Sequence, residues 1–215
     1  MGGPQNKQRN GSEAPDAAHL RPSLDPTYAR LLAAELRRRG FSDSDIFDGS
    51  RLSWTQLLEE ERFLSFERFR QLARRGMALT GEGWLGLDVG RSTQISSHGP
   101  LGYAMVASSS VGQVLELTER YSALRLQIAA FEVERSGGRV RLRIEDALGW
   151  GDVDEYVGLH IVGAICLLLE TVSGMPLPDT RVAFTHAAPS WAGEYETRLR
   201  GVAFEFGAAA DAAHD

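Results

Sequence analysis

The spacing of apolar residues predicts helices in the first part of the chain. Asp25 followed by Pro26 is typical of a helix start, where an N-cap residue precedes a proline in the first turn. Gly40 is expected to end this helix in a left-handed conformation. A second long helix is predicted over residues 66–79, with Ser65 as its N-cap. Apolar residues recur every three or four positions in both helices: Tyr28, Leu31, Leu32 and Leu36 in the first, and Phe66, Phe69, Leu72, Ala73 and Met77 in the second.

A glycine-rich segment precedes a further predicted helix. Gly99 and Gly102, with small residues around them, predict close backbone packing, and residues 103–107 favour a helix over a strand. Ser110 is expected to cap the helix that follows. Gly112, near the start of that helix, lowers the helix propensity of the segment. Its presence there predicts a close contact with another element.

The period then changes from helical to two. Apolar and charged residues alternate over residues 124–134 and again over residues 139–145. Between them, Ser136-Gly137-Gly138 is typical of a hairpin turn. The segments predict an antiparallel hairpin with one apolar face and one solvated, charged face, on which arginines and glutamates pair across the strands.

The last third of the chain predicts a buried helix and two strands. Residues 155–172 are apolar on nearly every side, as in a helix enclosed by the core, with Asp154 as cap and Gly174 at the end. Residues 181–185 and 202–206 predict strands, with a short helix between them. The predicted fold class is α+β: N-terminal helices, then an antiparallel hairpin, a long buried helix and two further strands, and not a jelly roll.

Composition and charge limit the classes of function. The 215 residues suit one domain, which we assign to residues 25–208, between a disordered tail at 1–24 and a frayed end at 209–215. The net charge of −6 argues against nucleic-acid binding by this chain alone, and the basic run at 37–39 is expected to be a solvated helix end. The single cysteine, Cys166, is expected to be a buried, inert thiol and fits a reducing cytoplasm. Since no apolar stretch reaches the roughly 20 residues of a membrane span, we expect a cytoplasmic protein without membrane contact.

A search for reactive motifs is negative. The five histidines do not have the spacing of metal ligands, and neither a Walker loop nor a Gly-x-Ser-x-Gly motif occurs. We therefore predict no catalytic residue, no metal site and no cofactor. An enzyme remains an alternative at this stage, because catalytic groups often assemble from distant residues.

Five segments, in order, resemble one known family. They are RRRGF at 37–41, ALTGE and WLGLDVG at 78–90, GPLGYAMVASSSVGQVLELTERY at 99–121, RVAFTHAAP at 181–189 and EYETRLRGVAFEFGA at 194–208. Their order is similar to that of the N-terminal arabinose-binding-type effector domain of AraC-family transcription regulators, the group that includes ornithine-utilisation regulators. The segment at 99–121 contributes most to the resemblance.

The resemblance implies a regulatory function. It implies a domain that senses a small-molecule effector, forms a homodimer and controls a C-terminal DNA-binding region with helix-turn-helix units. No such pair of units is recognisable in this chain, so we expect DNA binding only through a region absent from it. A sugar ligand does not follow from the family name, because the helix-first order is unlike the β-rich jelly roll of the namesake.

Four residues are candidates for effector binding. Tyr103 and Trp150 lie in glycine-rich surroundings, Trp54 lies between helices, and His160 lies on the apolar helix. Each also fits a purely structural role in the core. A haem or other small-molecule sensor, with His160 or His98 as an iron ligand, and a stand-alone binding protein remain alternatives.

Overall fold

The fold begins with a short strand at residues 22–24, within the segment that the sequence predicts to be a disordered tail. A computed structural model describes residues 16–177 and 179–208, so residues 1–15 of the predicted tail and the predicted frayed end at 209–215 lie outside the described residues. Strand β1 (Pro22–Leu24) pairs antiparallel with β2 (Leu64–Ser65), and Leu24 is fully buried. Regular structure therefore begins earlier than predicted. The sequence did not indicate β1, because a strand of three residues is too short to give a recognisable alternation.

The predicted helices of the first half are confirmed. The carboxylate of Asp25 accepts a hydrogen bond of 2.9 Å from the backbone N–H of Thr27, which caps the first helix. Gly40 has the expected positive φ of 93°, and Gly81 ends the second long helix with a φ of 67°. The two predicted helices are α1 (Pro26–Arg38) and α4 (Phe66–Thr80). The structure also contains the shorter helices α2 (Asp43–Ile46), α3 (Trp54–Glu59) and α5 (Leu85–Arg91).

The basic run at the end of α1, residues 37–39, is only partly the solvated helix end that the sequence predicts. The Arg39 side chain is only 18% exposed and forms ion pairs with Glu35 and Asp88, both at 2.7 Å, and with Glu82. Burial alone would raise the pKa of Glu35, but hydrogen bonds from Arg38 and Arg39 outweigh it and lower that pKa. The prediction was wrong for Arg39 because α5, distant in sequence, brings Asp88 to the end of α1. Arg38 itself remains largely exposed.

Close packing explains the glycines of the next segment, as predicted. A Cβ on Gly102 would lie 2.2 Å from the carbonyl oxygen of Ile95. A Cβ on Gly112 would lie 3.0 Å from the guanidinium of Arg135, which belongs to the hairpin. Both predicted helices are confirmed, as α6 (Gly99–Val106) and α7 (Val111–Tyr121).

The hairpin is confirmed with its two chemically different faces. It consists of β3 (Ala129–Ser136) and β4 (Arg139–Asp146), which pair antiparallel around Gly137 and Gly138. Phe131 pairs with Ile144 on the apolar face. On the other face Glu134 forms ion pairs with Arg141 and Arg143 at 3.6 and 3.4 Å.

The long apolar helix is the centre of the core. It is α8 (Asp154–Ser173), and it ends at Gly174 with a φ of 68°. The buried apolar residues of the described chain form two clusters, and α8 contributes residues to each of them. By length and composition it could cross a membrane, but 56% of its most apolar window is buried inside the protein, as in a core helix. Cys166 lies on it, buried, and burial raises the pKa of its thiol to about 11, in agreement with an inert cysteine.

The final strands are confirmed, and the structure adds their orientation. β5 (Thr180–Phe184) and β6 (Val202–Phe206) pair in parallel, with the short helix α9 (Gly193–Arg198) in the connection between them. The strands in the described part of the chain form three two-stranded sheets and no closed barrel. The α+β class is therefore confirmed, and the domain is not a jelly roll.

Candidate functional site

A cleft of about 620 Å³ opens beside the first turns of α1. It lies between this helix, α3 with the segment that follows it, and the turn that precedes α6. Its volume is in the range of small-molecule sites. The lining residues are Asp25, Pro26, Thr27, Arg30, Leu31, Ala34, Trp54, Glu60, Glu61, Ser96, Ser97, Gly99 and Arg125.

Arg125 joins three parts of the wall of this cleft. Its Nη2 atom lies 3.1 Å from a carboxylate oxygen of Asp25 and donates to the Thr27 hydroxyl at 3.1 Å and to the Ser97 carbonyl at 2.9 Å. The backbone N–H of Asp25 also donates to the Arg125 carbonyl at 2.9 Å. The Nε atom of Arg125 is buried and has no acceptor among the described residues. The start of α1 and the chain that enters the hairpin are therefore held together at the cleft.

Arg30 supports the opposite wall. Its Nε donates to the Leu57 carbonyl at 2.5 Å and its Nη2 to the Glu60 carbonyl at 2.6 Å, so it satisfies backbone acceptors at the end of α3. Trp54 begins this helix and lines the cleft, with the guanidinium of Arg37 4.4 Å from the centre of its ring. The ring is thus held in place by a cation–π contact.

The cleft carries charges of both signs. Arg30 and Arg125 are the cations in its lining, and Asp25, Glu60 and Glu61 are the carboxylates. The lining also includes apolar side chains from α1 and the indole of α3. Such a surface fits a small molecule that combines charged groups with an aliphatic part.

Tyr28, which is buried on α1, connects this helix to two histidine rings. Its ring centre lies 6.3 Å from that of His98 and 5.8 Å from that of His160. Burial raises the pKa of Tyr28 to about 12, and the nearby charge of Arg125 opposes this effect. Burial also lowers the pKa of His98. Tyr28 and His98 are therefore neutral near pH 7.

His160 lies in the core and outside the cleft. Its Nδ1 atom is 3.4 Å from the Tyr156 hydroxyl, and its buried Nε2 atom has no partner among the described residues. Burial lowers the pKa of His160 to about 3. The cavity next to it, of about 20 Å³, has room for roughly one water molecule and not for a haem.

Of the four residues proposed from the sequence, only Trp54 lines the cleft. Trp150 is buried in the core and donates from its indole nitrogen to the Ile128 carbonyl at 2.7 Å. Tyr103 is 65% exposed on α6. The structure therefore does not bring the four candidates together.

Sequence reasoning missed the charged residues of the cleft. Arg125 lies in a segment of alternating apolar and polar residues, where the pattern predicts a position on the solvated face of a strand. Arg30 lies on the polar side of an amphipathic helix. Neither carries a local signal, because the cleft is formed by segments about 30 to 100 positions apart in the chain. The described residues contain no group of His, Cys, Asp and Glu side chains that could hold a metal ion.

The chain is similar in sequence to known regulatory proteins. The model of a family described as the arabinose-binding domain of AraC transcription regulators, N-terminal, matches residues 40–214. The ornithine utilization regulator of Pseudomonas aeruginosa is 32% identical over 181 residues, which are 83% of this chain and 52% of that protein. The chain therefore spans about half the length of this curated relative. The family consists of regulatory domains and is not a family of enzymes. On these grounds the chain belongs to the family of N-terminal arabinose-binding domains of AraC transcription regulators.

Proposed function

We propose that this domain senses a small-molecule effector in the cleft beside α1. The observation that supports the proposal is the cleft itself: about 620 Å³, charges of both signs and an indole wall at Trp54. In a regulator of this type, effector binding acts by favouring one of two conformational states.

The mixed charge suggests the class of effector. A molecule with an amino group and a carboxylate could meet both signs in the lining, with its aliphatic part against Leu31 and Trp54. The relative in Pseudomonas aeruginosa is named for ornithine utilization, and ornithine has this chemistry. L-Ornithine is therefore the first compound to test.

The remaining parts of the proposal concern the whole regulator. We expect the domain to act in the cytoplasm, to form a homodimer and to influence transcription through a DNA-binding region outside this chain. The net charge of −6 supports a separate DNA-binding region, since a surface that grips phosphates is normally basic.

The direct test is binding of L-ornithine and other amino acids, measured by thermal shift and calorimetry. A ligand at 100 times its Kd raises the free energy of unfolding by about 2.7 kcal/mol, which gives a clear shift in Tm. Trp54→Ala should weaken binding at least about tenfold, because it removes an aromatic wall. Leu58→Ala is the matched control, since Leu58 lies on the same helix but is 56% exposed and does not line the cleft.

Two results would contradict the proposal. One is that no small molecule in a broad metabolite panel shifts the Tm. The other is that a ligand binds equally well to Trp54→Ala and to the wild type, because that ligand would then occupy another site.

A further inference from the structure

Helix α6 is apolar on nearly every side and yet is only partly buried. Its sequence, GPLGYAMV, contains no charged residue. A helix of this composition is normally enclosed by the core, as α8 is. In α6, however, only Gly102 and Met105 are buried. The described residues therefore supply a packing partner for one side of α6 and leave the other side without one.

The uncovered side of α6 forms one continuous stripe. Four exposed residues, the last of them the C-cap, follow the spacing of a single helix face: Pro100, Tyr103, Ala104 and Ala107. Tyr103 is 65% exposed, and Val106, beside the stripe, is 43% exposed. A helix face in contact with water normally carries polar or charged residues. We call these five residues the α6 face.

The segment around the α6 face carries no formal charge. Residues 92–115 contain no Asp, Glu, Lys or Arg, although 24% of the whole chain is charged. Burial lowers the pKa of His98, so the histidine of this segment is neutral near pH 7 as well. The exposed residues before and after the face along the chain are serines and glutamines: Ser92, Gln94, Ser96, Ser109, Ser110 and Gln113. An apolar centre with a polar rim, from which charge is depleted, is the composition of a protein–protein interface.

The absence of charge favours a second copy of this chain as the partner. In a two-fold symmetric interface each patch meets the same patch of the other copy, so a charged residue near the axis would face a like charge. A neutral patch meets itself without repulsion, whereas two chains of net charge −6 repel each other elsewhere. The small side chains of Ala104 and Ala107 let two helices approach closely, and Tyr103 is an aromatic anchor of the kind found at the centre of interfaces.

Two other partners fit the α6 face less well. Helices that lie on membranes carry Lys or Arg beside their apolar side, and residues 92–115 contain neither. A DNA-binding region is basic, so acidic side chains would be complementary to it, and the α6 face offers none.

We infer that the α6 face is the surface through which two copies of this chain form a dimer, with the two α6 helices packed against each other across a two-fold axis. The inference rests on the proposed function, which expects a homodimer but does not locate its interface. The residues of the α6 face do not line the cleft. Substitutions in the face therefore test the dimer separately from effector binding.

Sedimentation velocity of the whole chain at concentrations up to about 100 μM measures the Kd of the dimer. Ala104→Arg introduces two like charges near the axis and should raise this Kd at least about 100-fold. Tyr103→Ala removes the aromatic anchor and should raise it at least about tenfold. Both side chains are exposed, so both variants should keep the circular dichroism spectrum of the wild type.

Ala78→Arg is the matched control. Ala78 is likewise an exposed alanine of a helix, but it lies on α4 and outside the uncharged segment. This variant should dimerise with the Kd of the wild type.

A mixture of two variants identifies the partner. Ala104→Arg and Ala104→Glu should each be monomeric alone, and together they should form a heterodimer, because opposite charges then face each other across the interface. Failure of the mixture to form a heterodimer would overturn the arrangement of the two α6 helices across the axis.

Three further results would overturn the inference. The first is a wild-type chain that remains monomeric at about 100 μM, the weak end of specific association. The second is a dimer whose Kd is unchanged in Ala104→Arg and Tyr103→Ala, since its interface would then lie elsewhere. The third is a monomeric chain that binds phosphatidylcholine vesicles through Tyr103, which would make the α6 face a membrane-binding surface. In each case, ligand binding to the wild type and to Trp54→Ala still decides independently whether the cleft senses an effector.

Discussion

The carbonyl oxygen of Tyr156 lies where a side chain on Gly86 would have to be, since a Cβ there would be 2.2 Å from that oxygen. The same holds one turn further along, where a Cβ on Gly90 would be 2.3 Å from the carbonyl oxygen of His160. Helices α5 and α8 therefore pack backbone to backbone. This contact fixes the position of α8 relative to α5 in the core.

Substitution of Gly86 by alanine should destabilise the domain strongly. The added methyl group would meet backbone atoms of Tyr156, which cannot rotate away as a side chain could. We expect Gly86→Ala to lower the free energy of unfolding by about 3 kcal/mol, as measured by urea denaturation.

Gly158→Ala is the matched control on α8. A Cβ at Gly158 would meet no atom within 4 Å, and a helix interior favours alanine over glycine. This variant should be more stable than the wild type by about 0.5–1 kcal/mol. Equal stability of the two variants would mean that α5 and α8 are not in close contact.

The ion pairs of Arg39 give a second prediction. Glu35 has a side chain only 2% exposed, so removal of Arg39 would leave a buried carboxylate with only the exposed Arg38 as partner. Arg39→Met should therefore cost about 3 kcal/mol of the free energy of unfolding. Chemical denaturation at pH 7 and low salt measures this loss.

The control for Arg39 is an ion pair on the surface. Arg181 pairs with Glu205 at 2.8 Å, but the two side chains are 66% and 49% exposed. Arg181→Met should cost less than about 1 kcal/mol. A similar small effect for Arg39→Met would contradict a structural role for the Arg39 ion pairs.

The sequence predicted the helices and strands more accurately than it predicted which of them pack or pair with one another. Helices α1 and α8 and the hairpin were recognisable because periodicity, caps and glycine turns act within a few residues. The parallel pairing of β5 with β6 was not predicted, since strand orientation depends on how the connection through α9 packs. The same limitation explains the error at Arg39, whose partner Asp88 lies 49 positions away.

The candidate site was harder to predict than the fold. Trp54 was proposed because it lies between helices, and the structure places it in the lining of the cleft. Arg125 could not be recognised, because an arginine in an alternating segment has the pattern of a solvated strand. Its importance becomes visible only when the fold places it beside Asp25 and Gly99.

Trp150 and Trp54 should respond differently to substitution. Trp150→Phe removes the 2.7 Å hydrogen bond to the Ile128 carbonyl and leaves unfilled volume in the core, so we expect a loss of about 2 kcal/mol in stability. Trp54→Phe keeps an aromatic ring at a half-buried position and should change stability by less than about 0.5 kcal/mol. Thermal and urea denaturation of both variants test this difference, and the reverse order of effects would contradict a core role for Trp150.

The buried neutral His160 should make the domain less stable in mild acid. Its pKa in the folded protein is about 3, well below the ordinary value of 6.5 that the unfolded chain is expected to have. Between these two values the unfolded chain binds a proton that the folded protein does not, so the free energy of unfolding falls as the pH decreases from about 6.5 toward 3. Burial lowers the pKa of His98 as well, so this residue adds an effect of the same sign. His160→Gln should reduce the slope of stability against pH between pH 5 and 6 by about 1 kcal/mol per unit.

Urea denaturation of the wild type and His160→Gln at a series of pH values measures this change in slope. Above pH 7.5 the imidazole is neutral in both states, so the difference in stability between the two proteins should there be independent of pH. This constant difference contains the loss of the contact with Tyr156 and separates it from the proton effect. Equal slopes below pH 6 would mean that His160 takes up its proton in the folded protein. Such a result would require that water reach its Nε2 atom through the small cavity beside it.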